Sequence, residues 1–283
     1  MFGVYSALYG FMLCKADAIL PVTEMERLAS WGSRYSNICI FMKPFTAVLF
    51  AAIRRTGSTR QAGVTVDERV FVVVRLFRAL LALTVLRDVE YTRSIASFVP
   101  RGYVHNSTLI TFDASLTGVG VIVYRLTADG RTPVGATAVD LTSLAQNTAE
   151  FIAAIIGVKV AIDLGMSMNG VEMEGDSVTA LQWAWKWRVR GDFAINAAVV
   201  WTFQAVSVQL HIAKVSEISS IENWRCDMLS RGSCWSDVVA LDESLGIIEH
   251  LHPLDYQSLL SACDPRGPLP IEGAKWWTAP SSS

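Results

Sequence analysis

The sequence predicts an α/β chain, a mixed five-stranded sheet flanked by helices and preceded by a mainly helical segment. Three observations predict it. Hydrophobic residues make up 52% of the 283 positions, enough to fill a real core in one large domain or two smaller ones. The pattern changes after "VPRGYVHNS", where Pro100 and Gly102 mark a linker and β-rich runs begin. Beyond that linker the elements read β-β-β-α-β-α-α-β-α, a hairpin meander followed by βαβ crossovers, which gives a mixed sheet with helices on its faces.

The first hundred residues read mostly helical, broken at Pro21, Pro44 and the loop "GSTRQAG" from Gly57 to Gly63. The most apolar run is "VFVVVRLFRALLALTVL" (Val70–Leu86), with Arg75 and Arg78 inside it. It falls short of the ~20 residues a membrane span needs, and is expected as a buried helix whose arginines emerge on one side. The opening "MFGVYSALYGFMLC" has no basic leader and no clear cleavage site, which argues against a signal peptide.

"TLITFDAS" (Thr108–Ser115) and "GVGVIVYRLT" (Gly118–Thr127) are the first two strands of the meander. Asp129-Gly130 makes the hairpin turn to a third, "VGATAVDL" (Val134–Leu141). In "NTAEFIAAIIGVKVAIDLG", Asn147 or Thr148 can cap a helix whose end is marked by Gly165. A fourth strand is expected over Gly170–Ser177 and a fifth over Val208–Ser216. Two helices lie between them, "VTALQWAWKWRVR" and "FAINAAVVWTFQAV", and a last helix follows in "SIENWRCDMLSRG". The tail from Cys263, with four prolines and three final serines, reads as a disordered end.

Net charge is only −2, but residues 1–104 hold 13 Lys and Arg against 7 Asp and Glu, and residues 105–283 hold 11 against 19. A basic segment beside an acidic one fits a protein that grips a polyanion with one part and holds metal ions with the other. Unrelated surface charge on two domains fits the counts equally well. Five cysteines without a CxxC pair fit a reduced, intracellular chain, cytoplasmic or nuclear.

Asp113 ends the first strand, Glu150 sits in the first turn of the helix that follows the meander, Asp176 ends the fourth strand and Asp227 lies on the last helix. Singly, each has an ordinary reading as a turn cap, a helix-dipole partner or a solvated face. Together they converge at the sheet edge where ligands of α/β sheets bind. Four carboxylates there repel one another unless cations hold them, and oxygen-only ligands suit Mg²⁺ or Mn²⁺. Glu172 and Glu174 share the side of the strand with Asp176 and rival it. Asp176 is preferred because it stands at the strand end.

The order of elements and the stretches "TFDAS…GVGVIVY", "NTAEFIAAIIGVKVAI", "EGDSVTALQW" and "ENWRCDMLSRG" resemble ribonuclease H over roughly residues 105–235. The last stretch is similar to that family's "N-x-x-x-D-x-L-[AS]-R" helix, here Asn223 to Arg231. The "FDAS" and "D-x-L-S-R" forms resemble the ribonuclease H domains of retroelement reverse transcriptases, gypsy-like and DIRS-like ones above all. The resemblance implies that Asp113, Glu150, Asp176 and Asp227 form a catalytic set holding two Mg²⁺ ions, with Mn²⁺ as a substitute. It implies an RNA/DNA hybrid as partner, hydrolysis of its RNA strand, and Ser115, Asn147, Lys186, Arg190 and Asn223 as groups facing nucleic acid. Many cellular members carry a mobile His in the loop before the last helix; here "VSEISSIEN" has none, Glu217 stands about there, and His211 lies back in the strand. Among the interleaved tryptophans, Trp183 is expected in the core.

"MKPFTAVLFAAIRRTG" (Met42–Gly57) resembles the K-P-F stretch between palm and nuclease in such elements. Residues 1–104 are therefore expected to be a thumb- or connection-like segment, whose Arg54, Arg55, Arg60, Arg75, Arg78 and Arg87 either contact phosphates or are plain surface charge. The polymerase signature "Y-x-D-D" is not in the sequence, so the chain is expected to be the nuclease end of a longer polyprotein, or a degenerate copy of one, with the rest of that polyprotein as partner and no membrane. Residues 236–283 are expected to form a helical extension and tail. Two other readings stay open: a catalytically silent scaffold or nucleic-acid-binding module of the same fold, and another nuclease or transposase of the superfold.

Overall fold

The computed structural model describes residues 17–38, 43–56, 63–67, 69–74, 108–141, 144–186, 194–208 and 210–242, with the single residues 76, 189 and 245. The chain divides into two compact units, residues 1–96 with 187–195 and residues 97–186 with 196–283. Expectations for the Gly57–Gly63 loop (save Gly63), for Arg60, Arg75, Arg78, Arg87 and Arg190, and for the tail from Cys263 fall outside the described residues.

In the first unit, β1 (Ile19–Leu20) pairs antiparallel with β2 (Val64–Thr65). Helices α1 (Val22–Ile38) and α2 (Lys43–Arg55) begin at the prolines that the sequence marked as breaks. Pro21 immediately precedes α1 and Pro44 is the second residue of α2, first-turn sites where a missing N–H costs nothing. Met25, Leu28, Phe45, Leu49, Val64 and Val66 are buried. Residues 69–74 are helical, and Val70, Val72, Val73, Val74 and Leu76 are buried; the rest of the Val70–Leu86 run lies outside the described residues. The Asp67 carboxylate accepts from the Val70 N–H at 3.0 Å, a cap at the start of that helical stretch.

The second unit holds the mixed five-stranded sheet flanked by helices that the sequence predicts. Strands β3 (Thr108–Ala114), β4 (Gly118–Thr127) and β5 (Gly130–Asp140) form the antiparallel meander. Helix α3 (Gln146–Asp163) leads to β6 (Asn169–Gly175), which runs parallel to β3. Helices α4 (Val178–Lys186) and α5 (Ala194–Ser207) lead to β7 (His211–Glu217), parallel to β6. The sheet order is β5-β4-β3-β6-β7, which puts β3 at its centre and buries all seven of its residues. Helix α6 (Trp224–Ser230) packs on β4, β3 and β5, and α7 (Trp235–Leu241) follows it.

Local chemistry explains these bounds. Gly165, at φ +65°, closes α3, and the Met166 N–H bonds back to the Ala161 carbonyl at 2.9 Å. The start of α3 corrects the expected cap: the helix begins at Gln146 after Ala145, and neither Asn147 nor Thr148 caps it. Glu150 thus sits one turn inside the helix rather than in its first turn. Trp183 is buried edge-on against Phe151, ring centroids 5.6 Å apart, as the core reading expects. Among the described residues no helix is long and apolar enough to cross a membrane.

Candidate active site

Asp113 lies on the central strand beside its end, paired across the ladder with Gly120. Both backbone carbonyls flanking it are held by side chains from other elements. Asn223 Nδ2 donates to the Phe112 carbonyl at 3.0 Å, and Gln146 Nε2 donates to the Ala114 carbonyl at 2.6 Å. The strand end cannot shift without breaking one of these. Glu150 reaches the same place from α3, and Asp176 from the first position after β6. Ligand oxygens of Asp113, Glu150 and Asp176 lie within 4.8 Å of one another.

Each carboxylate has its own holder. Ser230 Oγ donates to Asp113 Oδ2 at 2.9 Å, Gln146 Nε2 donates to Glu150 Oε1 at 2.9 Å, and Ser220 Oγ donates to Asp176 Oδ2 at 3.0 Å. Asp113 and Glu150 are 4% and 5% exposed, so almost no water offsets their charge. Burial is the main reason that the Asp113 carboxyl is pushed up to about 7; the Ser230 hydroxyl opposes the shift, and the Asp176 and Asp227 charges add to it. Burial likewise pushes Glu150 up to about 8, with the Asp113 charge next, against the Gln146 amide.

Asp227 is near enough for its charge to act on Asp113, but it does not belong to the 4.8 Å group. Its Oδ1 accepts from Arg231 Nε at 2.8 Å and faces Arg231 Nη2 at 2.7 Å, a pair one helical turn apart on the partly exposed side of α6. The rivals of Asp176 are engaged elsewhere: Glu174 pairs with Arg131 at 3.3 Å and Glu172 with Lys214 at 3.7 Å.

The other sequence-predicted residues have different fates. Ser115 Oγ donates to the Ser230 carbonyl at 2.6 Å and accepts from the Thr117 and Gly118 N–H groups at 3.1 Å each, so it builds the β3–β4 turn. Asn223 is 2% exposed and its amide is committed to Phe112. Asn147 and Lys186 are exposed, in the first turn of α3 and the last turn of α4. His211 opens β7, half-buried, and Glu217 closes it, exposed.

Sequence reasoning missed three holders. Gln146 stands four residues before Glu150, a helical spacing readable only if the helix starts two or three residues before the place that an Asn147 or Thr148 cap gives it. Ser220 and Ser230 lie 44 and 117 residues from their carboxylates, and no local pattern announces such pairs.

The donor set is all oxygen, and buried Glu150 Oε2 has no hydrogen-bond partner among the described residues. Oxygen-only donors with one buried acceptor unmet fit a hard divalent cation of the Mg²⁺ or Mn²⁺ kind.

No family model matches the chain. No curated protein matches it either. Among solved structures it is similar to RNase H1 from the halophilic archaeon Halobacterium salinarum, at 21% identity and a TM-score of 0.36, over 48% of this chain and 98% of that one. It is similar to the N-terminal RNase H domain of a Mycobacterium tuberculosis protein, at 21% identity and a TM-score of 0.36, over 44% of this chain and 97% of that one. A third is LC11-RNase H1 in complex with an RNA/DNA hybrid, at 17% identity and a TM-score of 0.37, over 43% of this chain and 92% of that one.

Proposed function

We propose that the chain is a divalent-cation-dependent endonuclease that hydrolyses the RNA strand of RNA/DNA hybrids. The observation that carries the reading is the convergence of Asp113, Glu150 and Asp176 from two strand ends and a helix onto one spot, two of them buried. A fold gains nothing by packing like charges together, so such a cluster is a candidate for chemistry that needs them. The order of the motifs around these residues supports the same reading, since each falls on the element the ribonuclease H resemblance implies.

In this proposal Asp113, Glu150, Asp176 and Asp227 would hold two Mg²⁺ ions. When bound, such ions supply the charge that lowers the pKa of an attacking water and that neutralises the leaving 3′ oxygen. The chain's own residues do the rest. Asn223 and Gln146 fix the backbone on either side of Asp113, and Gln146 also orients Glu150. Asp227 reaches the site by leaving Arg231, a solvent-exposed partner that holds it only weakly. Asn147 and Lys186, both exposed, face the backbone of the hybrid, and the 2′-OH distinguishes its RNA strand. The K-P-F resemblance supports a further proposal, that residues 1–104 are a thumb- or connection-like segment of a retroelement reverse transcriptase, with residues 105–235 as its nuclease domain.

The Asp227–Arg231 pair favours one second reading, a catalytically silent nucleic-acid-binding module whose fourth carboxylate has been diverted. Labelled RNA/DNA hybrid, double-stranded RNA, double-stranded DNA and single strands, each incubated with and without Mg²⁺, separate the two. The nuclease reading expects Mg²⁺-dependent cutting of the hybridised RNA alone. Binding of the hybrid without cleavage would establish the silent module instead.

A further inference from the structure

Gly120 is the residue directly across the ladder from Asp113. A Cβ there would stand 2.1 Å from the Cys226 carbonyl oxygen and 2.7 Å from the Ser230 N, both backbone atoms of α6 or its last turn. A Cβ on Gly118 would stand 2.9 Å from the Ser230 carbonyl oxygen. The glycines of "GVG" therefore let α6 sink onto β4 at the level of Asp113, deeper than any side chain allows. That depth delivers Ser230 to the carboxylate. Ser230 is 1% exposed, so no water can take over its bond.

The Ser230 hydroxyl has one proton and two acceptors at 2.9 Å, Asp113 Oδ2 and the Asp227 carbonyl. Once ionised, the Asp113 carboxylate is the stronger of the two acceptors, and the Ser230 proton then goes to it. Ser115 locks the arrangement from behind through its 2.6 Å bond to the Ser230 carbonyl.

We infer that Ser230 is a positioning residue: its hydroxyl fixes the Asp113 carboxylate in the orientation that binds divalent cations, acting through Asp113 without contacting substrate. The inference rests on the nuclease reading for the purpose of the site, but cation affinity tests it separately. Groups that orient a ligand from behind typically change metal affinity by about 10- to 100-fold when removed.

Mn²⁺ binding to the full chain, freed of cations with a chelator, is measured by calorimetry without nucleic acid. Ser230→Ala is expected to weaken it about tenfold. In hybrid cleavage the Mg²⁺ concentration for half-maximal rate should rise in parallel, and the rate at saturating Mg²⁺ should largely return. A merely structural serine would lower the folded fraction and leave the half-saturation point in place. Ser230→Cys, nearly the same shape with a much weaker donor, should shift affinity in the same direction and stands in if the alanine variant does not fold. Unchanged Mn²⁺ affinity in both variants overturns the inference and leaves the nuclease reading standing. Absent cleavage with serine-dependent Mn²⁺ affinity overturns the nuclease reading alone.

Discussion

Two buried carboxyl groups pushed up to about 7 and about 8 make the site a proton-binding centre as well as a cation-binding one. The sign follows from linkage. The folded protein keeps protons on Asp113 and Glu150 that the unfolded chain releases near its ordinary carboxyl values, so stability falls as pH rises through that window. Above about pH 8 the cost is complete. The cation-free protein is expected to melt at a lower temperature at pH 9 than at pH 6, and Glu150→Gln should remove much of that difference. Thermal melts in chelator check this; an equal pH dependence in the variant would contradict it. Added Mg²⁺ should restore the most stability at high pH, where the ligands are already deprotonated. The carboxylates themselves were legible in the sequence because strand ends and a helix are local patterns. Ser230 and Ser220 were not, because what makes them matter is contact made across the fold.

At the scale of elements, α6 is held by the glycine seat on β4. Gly120→Ala places a Cβ against backbone that cannot swing aside, so overpacking should cost about 1–3 kcal/mol and push Ser230 away from Asp113. Urea unfolding measures the first effect and hybrid cleavage the second; an alanine variant with wild-type stability and rate would refute the seat. The first two strands of the meander were read almost to the residue, but the third begins at Gly130, four residues before the expected Val134, and pairs with Thr127, so the turn is Ala128-Asp129 rather than Asp129-Gly130. The last helix was read too long. Ser219 to Asn223 form a turn closed by the Glu222 carboxylate on the Ser219 N–H at 2.9 Å, and the helix starts only at Trp224. Helix α7 adds to the same core: Trp235 and Val238 pack with Leu109, Ile122 and Leu229. Trp235 and Val238, at the start of the helical extension expected from residue 236, are an i, i+3 apolar pair on a short helix, too brief a signal for the sequence to show that they join this core. Trp235→Ala is expected to cost about 3–5 kcal/mol in urea unfolding. A loss under about 1 kcal/mol would detach α7 from the core.

From Thr108 to Ser230 the β-β-β-α-β-α-α-β-α order read from the sequence is the order found, while the short pair β1 and β2 was not foreseen, and the central position of β3 explains why the acidic cluster gathers at its end. A strand buried along its whole length, flanked by an antiparallel and a parallel neighbour, ends where Gln146 and Glu150 of α3 and Asn223 and Ser230 at the two ends of α6 meet it. The ends of such strands gather side chains from distant parts of the chain. The charge contrast between residues 1–104 and 105–283 was visible from counting, but counting could not separate a phosphate grip from surface charge. The structure adds one particular there: Arg55 is engaged by Asp67 at 2.9 Å, which leaves it less available to a polyanion than its neighbour Arg54 at the end of α2. The proposed function requires that Asp113, Glu150 and Asp176 hold the cations used to cut RNA in a hybrid. A labelled RNA/DNA hybrid incubated in Mg²⁺ with wild type and with Asp113→Asn tests it most directly. Wild type should shorten the RNA strand and the variant should lose nearly all of that rate, because a neutral amide replaces the carboxylate at the centre of the site. Equal cleavage by the two proteins, or none by either, would contradict it.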